Sequence, residues 1–186
     1  MSTKELVRAA LFTAVICVVT ILVRMFQPVV VIPFSLQPLI MLLAGYLLSP
    51  RAAFLSMSAY IMLGLIGIPV FSVPPYGGPA YILVPSFGFL LGMPLAAWVA
   101  SRVIRVSKLW NFILAGIAGI IVLYAVGLPY MYIILNFYLE KAVDVMQIIK
   151  IGALPFLVFD LIKITVAAFL AVDLSRRLNI ERIYTN

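Results

Sequence analysis

Residues 52–101 read AAFLSMSAYIMLGLIGIPVFSVPPYGGPAYILVPSFGFLLGMPLAAWVAS and contain no Asp, Glu, Lys or Arg. In a soluble domain, charged residues make up about a quarter of the chain. This uncharged stretch is also much longer than the roughly 20 residues that one transmembrane helix needs. The segment SVPPYGGP, residues Ser72–Pro79, divides it, because Pro and Gly together break helices and form turns. The stretch therefore predicts two transmembrane helices joined by a loop.

The whole chain has the same character as this stretch. Its 186 residues are 66% hydrophobic and 10% charged, and the mean hydropathy is +1.23. This composition excludes both a water-soluble globular protein and a disordered chain. The length leaves room for about six spans and for no extramembrane catalytic domain of ordinary size. The absence of His excludes His-ligated metal sites and Ser-His-Asp catalysis, and the single Cys17 cannot form an internal disulfide.

Charged and helix-breaking residues divide the chain into six predicted helices. We expect the protein to hold no cofactor and no metal. The predicted architecture is an all-α integral membrane protein in which residues 1–186 form a single transmembrane domain. A kink is expected at Gly127–Pro129. The first helix is predicted at Ala9–Val23 with its flanking residues, the second at Phe34–Leu48, and the third from Ala52 to near Phe71. The fourth is predicted at about Tyr81–Ala100, the fifth within Trp110–Tyr138 and the sixth at Ile151–Val172.

The basic residues predict that both termini are cytoplasmic, because cytoplasmic loops carry an excess of Lys and Arg. With six spans, the cytoplasmic side carries Lys4, Arg8, Arg51, Arg102, Arg105, Lys108, Arg176, Arg177 and Arg182. The outer side carries only Arg24, Lys141 and Lys150. The basic residues are scattered at the ends of apolar segments, a pattern that argues against a nucleic-acid-binding surface.

Asp160 and Lys163 lie inside the last predicted span. An ionisable side chain in a transmembrane helix is costly unless it is paired or faces a polar cavity, so such residues are candidates for function. A spacing of three places the two side chains on one helix face. The pair is a candidate ligand site. It could also simply neutralise itself, or Lys163 could extend toward the membrane surface.

The loop between the third and fourth helices is rich in Gly, Pro and aromatic residues. Gly77 and Gly78 permit either a close approach of the backbone to a ligand or a sharp turn. Tyr76, Tyr81 and Phe87 are candidates for stacking on a flat ligand. The predicted topology places this loop outside, where it would serve as a ligand lid or as an ordinary interfacial aromatic belt.

Two further pairs of residues are weaker candidates. Ser35 and Gln37, near the outer end of the second helix, could hydrogen-bond a polar ligand or a neighbouring helix. Ala10 and Ala14 give the first helix a small-residue spacing that allows another helix to approach closely, either within the bundle or from a partner. The chain has no phosphate-binding loop of the G-x-x-x-x-G-K-[ST] type. Any uphill transport would therefore draw its energy from a partner.

Five ordered segments resemble the BioY family of biotin-specific substrate-binding subunits, the S components of energy-coupling-factor (ECF) transporters. They are IPFSLQPL (Ile32–Leu39), LLAGYLLSPR (Leu42–Arg51), YIMLGLIGIPVF (Tyr60–Phe71), PSFGFLLG (Pro85–Gly92) and LPFLVFDLIK (Leu154–Lys163). The sequence departs from the family pattern at Ser35, where Thr is common. It also departs at Val158–Phe159, where Pro-Gly is frequent, and at Pro79–Ala80, where the loop is usually more polar.

The resemblance implies a six-helix bundle in the plasma membrane that captures biotin from outside. Biotin would be the substrate rather than a cofactor. The bundle would then dock on a transmembrane coupling subunit driven by two ATP-binding-cassette ATPases. On this interpretation, Ala10 and Ala14 correspond to the small-residue motif of the first helix that lies against the coupling subunit.

The polar groups and the apolar rings and tail of biotin are complementary to the candidate residues. Ionised Asp160 would accept a ureido N–H, and Lys163 would donate to the ureido carbonyl or to the carboxylate at the end of the tail. Arg24 is either a second carboxylate partner or an interfacial anchor. An apolar, aromatic wall around the rings and tail is expected from Phe34, Tyr76, Tyr81 and Phe87.

Two other functions are compatible with parts of the sequence. An S component or small membrane transporter for a different vitamin-like ligand would look much the same. A membrane-embedded enzyme would normally need clustered carboxylates with a metal, a Ser/His pair or paired Asp residues. A single Asp within the spans and the absence of His disfavour that class.

Overall fold

The computed structural model describes residues 1–26, 35–105 and 108–177, and these ranges contain helices and no β-strand. This confirms the all-α class. A 3-10 helix spans Pro79–Leu83, and a π-helix at Ile134–Tyr138 continues α5. The α-helices are α1 (Thr3–Phe26), α2 (Gln37–Leu47), α3 (Pro50–Leu65), α4 (Phe87–Val103), α5 (Leu109–Ile133), α6 (Val145–Gly152) and α7 (Leu154–Arg177).

Three of the helical segments are long and apolar enough to cross a membrane. They are Thr3–Phe26, Leu109–Tyr138 and Leu154–Arg177, with lengths of 24, 30 and 24 residues and mean hydropathies of 2.6, 2.3 and 2.1. A span needs about 20 residues, which each of these exceeds. Helices α2, α3 and α4 are shorter, at 11, 16 and 17 residues. By length and composition, the described residues therefore contain three clear spans.

Helix α2 lies at the centre of the bundle. Nine of its 11 residues are buried, and it packs against α1, α4, α5 and α7. Close contact with α4 depends on Gly45, because a Cβ there would lie 2.8 Å from the Ala97 carbonyl oxygen. In a bilayer, helices associate through such small residues, since burial away from lipid provides no hydrophobic drive.

The loop after α3 begins earlier than the predicted end of the third helix. Helix α3 ends at Leu65 rather than near Phe71. The chain turns at Gly67, whose φ of +108° favours glycine, and then folds back over α3. The Phe71 ring fits there because Gly64 has no side chain: a Cβ would lie 2.0 Å from the ring.

The fourth predicted helix begins later than expected. Helix α4 starts at Phe87, and the 3-10 helix takes the place of the first predicted turn at Tyr81. Pro85 explains the interruption, because a residue that precedes Pro avoids helical backbone. Val84 is accordingly extended, with φ −79° and ψ 130°.

The last two predicted helices also differ in detail. Helix α5 continues through Gly127–Pro129, where we expected a kink, and it changes to a π-helix at Ile134. The predicted helix at Ile151–Val172 is divided into the short α6 and the long α7. Asp144 begins α6 with a capping box shared with Gln147, a spacing that is visible in the sequence.

Candidate functional site: a cavity around a buried ion pair

A cavity of about 290 Å³ lies between the start of α2, the end of α6, helices α4, α5 and α7, and the loop before α4. Its volume is near the lower end of the range for small-molecule sites, about 300–1,000 Å³. The polar lining residues are Ser35, Gln37, Ser72, Tyr81, Ser86, Tyr124, Asp160 and Lys163. The apolar wall consists of Pro38, Val73, Phe89, Leu90, Met93, Leu123, Met131, Ile151, Gly152 and Phe156.

Asp160 and Lys163 form an ion pair on the cavity wall. Lys163 Nζ donates to Asp160 Oδ1 at 2.9 Å, and the two residues are 4% and 5% exposed. The structure thus confirms that they share one face of α7, in its second and third turns. Because Lys163 is buried, its side chain does not extend to the membrane surface.

Tyr124 of α5 also binds Asp160, and sequence reasoning missed it. Its hydroxyl donates to Asp160 Oδ2 at 2.6 Å. Both carboxylate oxygens are therefore engaged, one by a residue of the same helix and one by a residue of a neighbouring helix. Tyr124 lies in an apolar run with no motif around it, so only the packing of α5 against α7 reveals it.

The apolar wall is made largely of residues that sequence reasoning did not select. Phe89, Met93 and Phe156 line the cavity, as do the hydroxyl-bearing Ser72 and Ser86. Phe89 and Phe156 lie within two of the segments that resemble the BioY family, and that resemblance could have identified them as candidates. Together these side chains provide an apolar wall with a few hydroxyls, as small-ligand sites usually do.

Ser35 and Gln37 both line the cavity, at the start of α2. The Ser35 hydroxyl donates to Gln37 Oε1 at 3.0 Å. The Gln37 amide nitrogen donates to the Tyr60 hydroxyl, which donates in turn to the Val70 carbonyl at 2.9 Å. These bonds tie the start of α2 to α3 and the loop after it.

Among the predicted aromatic residues, Tyr81 lines the cavity and Phe87 does not. Phe87 is buried behind Tyr81, with 6.1 Å between the ring centroids. Burial raises the pKa of the Tyr81 hydroxyl above its ordinary value, although the neighbouring Ser72 and Ser86 partly offset the shift. Tyr81 is therefore neutral at physiological pH and can both donate and accept a hydrogen bond. Phe34 lies outside the described residues.

Tyr76, Gly77 and Gly78 shape the loop and do not line the cavity. Tyr76 lies beneath the Arg24 guanidinium, 4.3 Å from its ring centroid. Gly77 permits a close backbone approach, since a Cβ there would lie 2.5 Å from the Ile68 carbonyl oxygen. Gly78 has a φ of +89°, which favours glycine.

Ala10 and Ala14 are both exposed on α1 and do not line the cavity. The neighbouring buried face of α1 contains Ala9, Thr13, Ile16 and Thr20. Ala10 and Ala14 are therefore not part of the face that α1 buries against the other described helices. Within residues 1–26, 35–105 and 108–177, no group of three or more Cys, Asp or Glu side chains could hold a metal ion.

The fold is similar to that of a solved S component for biotin from an ECF-type ABC transporter. The TM-score is 0.75, the alignment covers 95% of each chain, and 22% of the aligned residues are identical.

Sequence comparison identifies closer relatives. A biotin transporter BioY of Thermotoga maritima is 36% identical over 181 residues, which cover 96% of this chain and 99% of that one. A probable biotin transporter BioY of Lysinibacillus sphaericus is 38% identical over 173 residues, covering 91% and 86% of the two chains. The sequence model of the BioY family matches residues 1–180. The chain therefore belongs to the BioY family.

Proposed function

We propose that this chain captures biotin from outside the cell and delivers it through an ATP-driven ECF transporter. The observation that carries the proposal is the cavity that contains the buried Asp160–Lys163 ion pair. The relatives named above are described as biotin transporters, which favours transport over enzymatic activity. Biotin would be the transported substrate rather than a cofactor.

The cavity offers groups that complement both parts of biotin. Ionised Asp160 accepts a ureido N–H, because a carboxylate has about four lone-pair sites and can accept more bonds than the two already made. Lys163 donates to the ureido carbonyl, which is the acceptor closest to that N–H. Phe89, Met93 and Phe156 surround the rings and the aliphatic tail.

The tail carboxylate lies away from the ion pair on this proposal. Tyr124 and Met131 both line the cavity, and seven residues of helix separate them by about 11 Å. The cavity is therefore elongated along α5, toward Ser35, Ser72 and Tyr81. Arg24 does not line the cavity. Its guanidinium instead binds the carbonyls of Pro69 and Phe71.

In the membrane, we propose six spans with both termini in the cytoplasm. Each span would be built around one of the helices α1, α2, α3, α4, α5 and α7 together with its flanking residues, because α2, at 11 residues, is too short to cross alone. Residues 1–186 would act as a single transmembrane domain in the plasma membrane. The distribution of basic residues supports this orientation, with nine on the cytoplasmic side and three outside. The short α6 would lie at the outer surface between α5 and α7.

The partners in this proposal are a transmembrane coupling subunit and two ABC ATPases. The chain has no phosphate-binding loop, so ATP hydrolysis must come from other subunits. The exposed Ala10 and Ala14 allow a partner helix to approach α1 closely. We place the coupling subunit on this face of α1.

Equilibrium titration of the purified protein in detergent tests the choice of ligand. We expect saturable binding of labelled biotin at one molecule per chain, without any partner subunit. A panel of other vitamins, used as competitors, should leave the bound biotin in place. Displacement by another vitamin at lower concentration than unlabelled biotin would assign the chain to that ligand instead.

A further inference from the structure

Tyr124 lies between the ligand cavity and a second, larger groove in the bundle. This groove of about 880 Å³ lies between α5, α6 and α7 and is lined mainly by apolar side chains, among them Ile121, Leu128, Ile148 and Leu157. Tyr124 is common to the lining of the cavity and of the groove. Its ring therefore forms part of the partition between them, while its hydroxyl reaches the ion pair.

The orientation of the Asp160 carboxylate is not determined by its own helix. The terminal torsion of an Asp side chain is broad and has roughly two-fold character, so the carboxylate can rotate easily. Lys163 holds one oxygen, Oδ1, at 2.9 Å, and it follows any movement of α7 because it is on that helix. The Tyr124 hydroxyl holds the other oxygen, Oδ2, at 2.6 Å from α5. Two bonds from two helices fix the plane of the carboxylate.

The Tyr124 ring is itself held in place by α4. Its ring meets that of Phe89 edge to face, with 5.8 Å between the centroids and an interplanar angle of 87°. This geometry is favourable for aromatic pairs. The hydroxyl is thus presented to Asp160 of α7 by a ring that belongs to α5 and packs against α4.

We propose that Tyr124 is a positioning residue for the ligand. By holding Oδ2, its hydroxyl turns the remaining lone pairs of Asp160 toward the cavity, where they accept the ureido N–H. This inference rests on the proposed function, because it assumes that Asp160 contacts biotin. Without Tyr124, ligand binding would have to order the carboxylate, and the entropy lost in ordering that side chain would lower the affinity.

Tyr124→Phe tests the proposal, because it removes only the hydroxyl and keeps the ring against Phe89. We expect the Kd for biotin to rise about three- to tenfold, from the cost of ordering one side chain. Tyr132→Phe is the matched control. Tyr132 lies on the same helix and lines the groove but not the cavity, so this variant should bind biotin like the wild type.

A hydrogen bond that merely joins α5 to α7 would weaken binding regardless of Asp160. The same substitution is therefore made in an Asp160→Asn background. If Tyr124 acts through the carboxylate, Tyr124→Phe changes the Kd there by less than about twofold. If Tyr124→Phe weakens biotin binding as much in the Asp160→Asn background as in the wild type, the proposal is overturned. It is also overturned if Tyr124→Phe alone leaves the Kd for biotin unchanged.

A measurement without ligand separates this inference from the proposed function. The infrared carboxylate stretch of Asp160, identified by its loss in Asp160→Asn, should shift and broaden in Tyr124→Phe and not in Tyr132→Phe. An unchanged band would overturn the inference even if biotin binds. If the wild type binds no biotin, the proposed function fails, and the band still shows whether Tyr124 orders the carboxylate.

Discussion

The guanidinium of Arg24 lies over the ring of Tyr76, 4.3 Å from its centroid. Arg24 Nη1 also donates to the carbonyl oxygens of Pro69 and Phe71, at 2.9 and 3.2 Å. The last turn of α1 therefore fastens the loop after α3 at three points. Ser72 and Val73 of that loop line the cavity, so Arg24 joins the first helix to the ligand site without contacting the site itself.

Substitution of Arg24 by Gln is expected to accelerate biotin release. The loop would lose charged hydrogen bonds and a cation–π contact, which together stabilise it by about 1–3 kcal/mol. We predict a dissociation rate about 5- to 150-fold faster if all of this energy retains the ligand, measured by chasing labelled biotin with unlabelled biotin. Arg102→Gln is the control, because Arg102 stacks on Trp98 of α4 and does not contact this loop. Equal dissociation rates for Arg24→Gln and wild type would show that the loop does not retain the ligand.

Gly64→Ala is expected to displace Phe71 and, through it, Tyr81. The new methyl group would lie 2.0 Å from the Phe71 ring, and the Phe71 and Tyr81 centroids are only 4.3 Å apart. Overpacking of this kind costs about 1–3 kcal/mol, so both the melting temperature and the biotin affinity should fall.

Gly67→Ala provides the comparison for this effect. A Cβ at Gly67 meets nothing within 4 Å, although φ there is +108°. It should therefore lower the melting temperature through backbone strain of about 1–2 kcal/mol with little change in the Kd. If the two variants had the same Kd, contact between Phe71 and α3 would not shape the cavity.

Ala10→Leu/Ala14→Leu should separate ligand binding from assembly. Both residues are exposed on α1 and lie outside the cavity lining. Larger side chains there would prevent close helix approach. We predict unchanged biotin affinity and a loss of co-purification with the coupling subunit. The control is Ala125→Leu, which enlarges an exposed alanine on α5. Normal assembly of the α1 variant would place the docking surface elsewhere.

The buried ion pair predicts an unusual pattern of stabilities. Removing one partner of a buried pair leaves an uncompensated charge and costs about 3–5 kcal/mol, whereas replacing both by apolar residues is often neutral. Lys163→Met should therefore melt at a lower temperature than wild type, and Asp160→Leu/Lys163→Met should recover most of the loss. Equal destabilisation by the single and double substitutions would indicate that the pair is solvated. Thermal unfolding in detergent, without biotin, measures this difference.

Hydropathy and the spacing of charges were sufficient to predict the helical class and the approximate position of each long helix. The predicted boundaries were wrong where local chemistry interrupts an apolar run. Pro85 and Gly67 shorten α4 and α3, and the capping box at Asp144 starts a separate helix. Hydropathy alone cannot detect the first two features, because the residues around Pro85 and Gly67 are as apolar as the spans themselves.

The ion pair was predictable because both of its members lie on one helix, three residues apart. Tyr124 was not, since it reaches Asp160 from α5, and 36 residues separate the two in the sequence. The Arg24 contacts with the loop were missed for the same reason. Contacts between helices depend on how the helices are rotated and packed, which the sequence pattern of each helix does not specify.

The most direct test of a biotin site at the Asp160–Lys163 pair is equilibrium binding to wild type and to the apolar double variant, Asp160→Leu/Lys163→Met. The control, Asp173→Leu/Arg177→Met, removes an exposed ion pair of the same helix. We predict one biotin per chain for the wild type and the control, and no saturable binding for a folded Asp160→Leu/Lys163→Met protein. Wild-type affinity in that double variant would contradict the assignment of the site.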